Sequence, residues 1–331
     1  MRTLGKNEKW VDFSCGVAAV EFDALNDLIA RQVSFNGWFT NENVRKALLS
    51  LGNELSEEQL TDWTGKYRFI ATPKRIALIM AGNIPLVGFH DFLCVLCAGH
   101  TAVCKLSSTD KTLLPALASH LKQFLPELSE RIEFSHGKMG EMDGVIATGS
   151  DNSLTYFDQY FGKYPHIFRK NRTSIAVFDG SETSEQIKLF GDDLFAYFGL
   201  GCRNVSHFLV PESFEINRFF EGIVSYGELV NNNKYGNNYD YQPAIYLMNQ
   251  VRLLDNNFVL LREPDELFSP LAMLHYHRYT EIQEVENFIS KHADKIQVVI
   301  GNGHSEFGSS QRPSLHDYAD GVDVMKWLED I

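Results

Sequence analysis

Basic side chains are scarce: 30 Lys and Arg face 43 Asp and Glu, a formal net charge of −13, and the isoelectric point lies near 5.3. Such a surface repels phosphate backbones and anionic lipid, which excludes nucleic acid as a partner. No apolar run approaches the roughly 20 residues that cross a bilayer. The N-terminus lacks a basic, then apolar, then small-residue signal. The expectation is a soluble, cytoplasmic protein with no integral membrane contact. The five cysteines, Cys15, Cys94, Cys97, Cys104 and Cys202, are odd in number and irregularly spaced, which argues against a disulfide framework and for reduced thiols. The sequons Asn171-Arg172-Thr173 and Asn204-Val205-Ser206 then carry no weight. What is present is length and apolar content: 331 residues, 44% hydrophobic, enough for a large core in two domains.

The first 70 or so residues read as helices and loops, with Asn41 and Ser56 as N-caps. From Arg75 the pattern changes. The run Ile76 to Ala81 reads as a strand ending at Gly82-Asn83, and Pro85 opens a helix through Ala98. Ala102 to Leu106 is a second strand, followed by a helix from Asp110 to Leu125 with Thr109 as its cap. Gly144 to Thr148 is a third, ending at Gly149-Ser150 before another helix. Strand and helix alternate, which calls for a parallel sheet covered on both faces, with ligands at the carboxyl ends of the strands. A second alternating unit begins at Ser174 to Phe178, continues through a helix from Glu182 to Tyr197, turns at Gly199-Leu200-Gly201-Cys202 and resumes with the strand Val205 to Val210. Asn231 to Tyr239 is polar and turn-rich and reads as a loop.

Cys202 stands at a glycine-bracketed turn, where the backbone can bend and a ligand approach; read by itself, it is either a reactive thiol or a buried one. Asn83, at a strand end before Pro85, is either an oxyanion donor or a helix cap. Cys94 and Cys97 form a C-x-x-C pair inside an apolar helix and read as core. His275-Tyr276-His277 is expected to set its imidazoles on opposite faces of a strand, and His316-Asp317 lacks a spaced partner set, so no metal is expected. Lys163, Arg169, Lys170 and Arg172 form a local basic cluster, either a binding element for an anionic carrier or cofactor phosphate, or a solvated loop.

Four segments occur in an order that resembles the aldehyde dehydrogenase superfamily, and most closely its LuxC-type acyl-CoA reductase branch. The resemblance covers about residues 75 to 331. Asn83-Ile84-Pro85-Leu86 is similar to the Asn-x-Pro-x segment, whose Asn stabilises the oxyanion together with the backbone N–H of the catalytic cysteine. Gly99 to Ser107 resembles the Gly-Asn-Thr-x-x-x-Lys-Pro-Ser stretch, which implies that Lys105 and Ser107 contact the adenosine ribose. Thr148-Gly149-Ser150 resembles the Gly-Ser turn that leads a helix toward the cofactor phosphates. Glu266-Leu267-Phe268-Ser269-Pro270 is similar to Glu-x-Phe-Gly-Pro, with Ser269 in place of glycine, which makes Glu266 and Phe268 cofactor residues. The run Gln311 to Asp323 is what points to the LuxC branch.

The resemblance implies an aldehyde-dehydrogenase-like α/β fold: two open parallel-sheet domains with the active site between them. Residues 1–171 would form the N-terminal helices and NAD(P)-binding domain, 172–308 the catalytic domain, and 309–331 a segment returning to the cofactor domain or a dimer interface. It implies that Cys202 is acylated by an acyl-CoA or acyl-carrier protein and the acyl group is then reduced to aldehyde. Aldehyde-oxidising members carry a Glu-Leu-Gly-Gly motif whose glutamate activates water, whereas this chain has Arg169-Lys170-Asn171-Arg172 nearby. That departure favours reduction. Ser108, three residues after Lys105, stands where many NAD-preferring relatives place a glutamate, so NADPH is expected to be accepted at least as well as NADH. A homodimer or larger assembly is implied by analogy. The alternatives are a short-chain CoA-acylating aldehyde dehydrogenase and a non-catalytic binding or assembly member.

Overall fold

The computed structural model describes residues 1–13 and 16–331, so Cys15 lies outside the described residues. The chain forms two compact units, Met1–Asn171 with Ser314–Ile331, and Arg172–Pro313. The first begins with helices α1 (Arg2–Gly5), α2 (Ala19–Phe35), α3 (Asn41–Glu54) and α4 (Glu57–Thr64). Ser56 caps α4 by accepting from the Gln59 N–H at 3.2 Å. For α3 the cap is Thr40, one residue before the expected Asn41, because its hydroxyl accepts from Asn43 N–H.

Alternation then sets in: β1 (Arg75–Ile79), α5 (Phe89–Cys97), β2 (Thr101–Lys105), α6 (Leu113–Phe124), β3 (Ile132–Phe134), β4 (Gly144–Thr148), α7 (Asp151–Phe161) and β5 (His166–Arg169). The five strands pair in parallel in the order β3-β2-β1-β4-β5. Chain progression reverses between β1 and β4, so the crevice at their carboxyl ends is a topological switch point, the usual ligand site of such sheets. Two helix starts differ from expectation. Pro85 does not open α5, which begins at Phe89 with Gly88 as its N-cap, and α6 begins at Leu113 after Thr112. The side chains expected at the start of α6 are engaged elsewhere. The Thr109 hydroxyl donates to Gly82 C=O at 2.8 Å, and the Asp110 carboxylate accepts from Leu86 N–H at 2.9 Å.

The second unit runs β6 (Thr173–Val177), α8 (Ser184–Phe195), β7 (Val205–Pro211), α9 (Ile216–Ile223), α10 (Asn233–Met248), β8 (Leu254–Asp255), β9 (Leu260–Arg262), β10 (Met273–Tyr279), α11 (Ile282–Lys291) and β11 (Ile296–Gly301). Its sheet has the order β11-β6-β7-β10-β9-β8, parallel except for the β8–β9 pair. The polar stretch Asn231 to Tyr239 is a correction: it is the entry to α10. Asn232 accepts from the Lys234 and Tyr235 N–H groups through its side chain. Tyr235, 1% exposed, donates to Phe258 C=O. Capping and one buried aromatic override a poor local helix propensity.

After the second unit the chain rejoins the first, where α12 (Val324–Asp330) packs on α5. Tyr318 OH receives Trp63 Nε1–H at 2.7 Å and donates to Tyr67 OH at 3.0 Å; Tyr67 OH donates to the Asp323 carboxylate at 2.8 Å. His316 and Lys66 both contact the Asp62 carboxylate at 3.1 Å. From Ser314 onward the conspicuous C-terminal run is therefore part of a strap over α4 and α5. No helix among the described residues is long and apolar enough to cross a membrane.

Candidate functional site

At the carboxyl edge of the first sheet, the loops after β1 and β2 are laced together. A Cβ on Gly82 would lie 2.4 Å from Thr109 Oγ1 and 2.5 Å from Ser107 Oγ, so only glycine lets the two loops approach this closely. The hydroxyls of Ser107 and Thr109 are 2.9 Å apart. Asn83 follows, exposed on a bend. With Gly88 as the N-cap of α5, the helix-capping alternative for Asn83 falls away. Lys105 and Ser108 are exposed beside this edge, and Ser150, the N-cap of α7, stands with Gly149 at the end of β4.

Asp110 presents itself in the sequence only as a helix start. It is 8% exposed and one carboxylate oxygen fixes the N–H of Leu86, whose φ is +59°. The other oxygen is buried without a hydrogen-bond partner. Burial pushes its pKa up to about 6, against the opposing pull of the Leu86 N–H. Because the folded pKa lies above the unfolded one, the protein is most stable with Asp110 protonated and loses stability as pH rises through about 4 to 6. Asp110→Asn keeps an acceptor for Leu86 without the buried charge. It is expected to gain about 2–3 kcal/mol at pH 7.5, with the gain vanishing toward pH 4, as chemical denaturation at the two pH values would show.

The basic cluster must be corrected at Arg169. Its guanidinium is buried and paired with Asp91 at 2.7 Å, with side-chain exposures of 10% and 8%. A buried pair of this kind is a structural element whose disruption leaves an uncompensated charge. The C-x-x-C reading as core stands for Cys94, fully buried with its thiol pushed well up by burial. Cys97 is partly buried and pushed up to about 11.

Cys202, by contrast, is exposed. Its turn is built from the end of α8. Tyr197, Phe198 and Gly199 take φ of 53°, 59° and 78° in succession. A left-handed conformation is costly for two aromatic residues and free for glycine. Their side chains are buried, with the Phe198 ring 6.1 Å from Tyr235. The device that closes the turn is Asn204, 3% exposed. Its Nδ2 lies 3.0–3.2 Å from the carbonyls of Asp193, Leu194 and Ala196, and its Oδ1 accepts from Gly201 N–H at 2.8 Å. One amide thus satisfies carbonyls that the end of α8 leaves open and locks the glycine before the cysteine. As part of a sequon Asn204 carries no weight in the sequence; an asparagine two residues after a Gly-x-Gly-Cys turn was the available signal.

Hydrogen bonds from the adjacent residues Thr173 and Ser174 reach toward the Glu266 loop on one side and this turn on the other. Ser174 Oγ–H donates to Cys202 C=O at 3.2 Å. Thr173 Oγ1–H reaches Ser206 Oγ at 2.7 Å, and Ser206 donates to Leu267 C=O at 3.2 Å. The β6–β7 register passes from Ser174 opposite Val205 to Ile175 opposite His207, so Ser206 is an extra residue, and such bulges re-aim side chains. Glu266 is exposed and sits 3.6 Å from Arg262. Phe268 is half-buried against Ile175 and Leu267. His275 and His277 require a further correction: they are two residues apart on β10 and share a face, and the rings of His277 and His207 lie 6.4 and 4.8 Å from Phe288. No group of three or more His, Cys, Asp or Glu among the described residues is placed to hold a metal ion.

No protein-family model and no curated protein matches the sequence. Solved structures match its fold. HpcC from Thermus thermophilus superimposes with a TM-score of 0.62 at 13% identity, covering 85% of this chain and 67% of that one. An Escherichia coli NADP-dependent enzyme gives 0.57 at 13%, covering 85% and 70%. P. syringae AldA indole-3-acetaldehyde dehydrogenase, in complex with NAD+ and IAA, gives 0.56 at 14%, covering 90% and 74%. The chain has an aldehyde-dehydrogenase-like α/β fold.

Proposed function

We propose that this aldehyde-dehydrogenase-like chain is an NAD(P)H-dependent reductase of acyl thioesters, acyl-CoA or acyl-carrier protein, of the LuxC type, and that Cys202 is its nucleophile. The observation that carries the reading is the exposed Cys202 on a strained, Asn204-locked turn, an expensive arrangement for a thiol of no use. The residues suit a dinucleotide. Lys105 offers a cation at a strand end, Ser150 heads a helix whose first N–H groups favour phosphate, and the exposed Glu266 carboxylate suits ribose hydroxyls. When bound, the dinucleotide supplies the hydride.

Cys202 as thiolate attacks the acyl carbonyl, the carrier thiol leaves with a proton, and the acyl group rests on sulfur as a thioester. The side-chain amide of Asn83 and the backbone N–H of Cys202 serve as donors to the oxyanion. After reduction, Cys202 departs as the thiohemiacetal collapses to aldehyde. The segment Arg169-Lys170-Asn171-Arg172 carries no glutamate to activate water, and its first guanidinium is committed to a buried ion pair, in keeping with reduction in preference to hydrolysis.

Asn83→Ala is expected to lower kcat about 10²-fold with cofactor affinity nearly intact, measured as NADPH oxidation with an acyl-CoA series; an unchanged kcat would remove Asn83 from the chemistry. Ser108 leaves the adenosine-ribose position without the carboxylate that repels a 2′-phosphate. NADPH is therefore expected to serve at least as well as NADH, with Ser108→Glu shifting kcat/KM toward NADH.

A further inference from the structure

His207 and His275 are the least exposed histidines of the second unit, 0% and 1%, on paired strands at opposed register positions. Their rings meet edge to face at 6.1 Å. The Nδ1 atoms of both approach one acceptor, the backbone carbonyl of Glu266, at 3.3 and 2.9 Å. A carbonyl only accepts, so both imidazoles carry their proton on Nδ1. Both Nε2 atoms are left as bare lone pairs, buried without a partner.

For stability alone this is a poor solution, because a buried acceptor without a donor forfeits its hydration, and an apolar ring of the same shape would not. Burial also pushes His207 down to about 3 and His275 down from its ordinary value, which keeps both neutral. What the pair achieves is placement: two donors converge on the main chain of the residue whose carboxylate faces solvent, and Ser206 fixes the next carbonyl, Leu267.

We infer that His207 and His275 are positioning residues that hold the Glu266 backbone from below and thereby set where its carboxylate meets the cofactor. The inference rests on the cofactor role proposed for Glu266 and names the groups that act through it. His→Asn keeps an N–H donor near the Nδ1 position, whereas His→Phe keeps ring volume and removes the donor.

The test compares His275→Phe, His275→Asn, the same pair at His207, and Glu266→Gln. The expected result for His275→Phe is a rise of about tenfold in NADPH KM and Kd, the worth of one hydrogen bond, with kcat at saturating cofactor within about twofold. His275→Asn should recover most of the affinity. Amide hydrogen exchange over residues 263–268 reads the same placement without ligand: faster in the Phe variant, near parental in the Asn variant. Parental exchange and affinity in His275→Phe, with only the melting temperature lowered, would overturn the inference. Accelerated exchange with Glu266→Gln leaving NADPH affinity unchanged would instead uphold the placement and sink the cofactor role of Glu266.

Discussion

Cys202→Ala is expected to abolish the acyl adduct and to lower turnover by roughly 10³-fold or more, since the covalent route has no second nucleophile on its turn. Incubation with acyl-CoA and no reductant should raise the intact mass of the parent by one acyl group, and peptide mapping should put it on Cys202. The control is Cys94→Ala. That thiol is fully buried in the core, so its loss should alter stability and leave the adduct in place. An adduct persisting in Cys202→Ala, or parental turnover, would refute the mechanism.

The second large effect is structural in origin and catalytic in consequence. Asn204→Ala strips the donors from three carbonyls at the end of α8 and the acceptor from Gly201 N–H. Buried polar groups left in this way cost about 1–3 kcal/mol each where solvent cannot replace the partner. A loss of about 3–5 kcal/mol is therefore expected by urea denaturation. In conditions where the variant remains folded, the turn should relax from its left-handed run and the rate of Cys202 acylation should fall with it. Asn204→Asp is the sharper probe, since it is nearly isosteric but cannot donate to the carbonyls. Parental stability in both variants would mean that the lock does not hold the turn.

Much of the architecture was legible because parallel sheets announce themselves. The strand Gly144–Thr148 has its expected limits, and the other four expected strands agree to within one or two residues, since buried strands are short apolar runs closed by glycine or polar residues; β3, β5 and β8 to β11 were not delimited from the sequence. Ser56 and Ser150 do head helices as the sequence suggests, but the starts of α5 and α6 were not legible. Pro85, Thr109 and Asp110 have the right chemistry for caps, but each belongs to the loops on the sheet edge, and only the fold shows that Gly82 and Leu86 claim the Thr109 and Asp110 side chains. Entry into α10 was hidden by its asparagines and glycine, whose propensity is outweighed by the burial of Tyr235. The positions of Cys202 and Asn83 follow from turns that the sequence displays, and those of Lys105 and Glu266 from the resemblance. Their supports do not: Asn204, Asp110, His207 and His275 act through contacts made only in the folded chain, and Arg169 looked like a free cation because its partner Asp91 is 78 residues away.

The strap formed by residues 314–331 has a consequence for synthesis. The first unit is interrupted by the whole of the second, and the Trp63–Tyr318 and Tyr67–Asp323 bonds join residues about 255 apart. On the ribosome, helices α4 and α5 emerge early but cannot bury Trp63 or receive α12 until all of Arg172–Pro313 has been made. The second unit is contiguous and can close on its own core first. The early-born half is therefore the late-finished one, and a stalled chain ending before Ser314 would present the Trp63 face and the open side of α5 to chaperones and proteases.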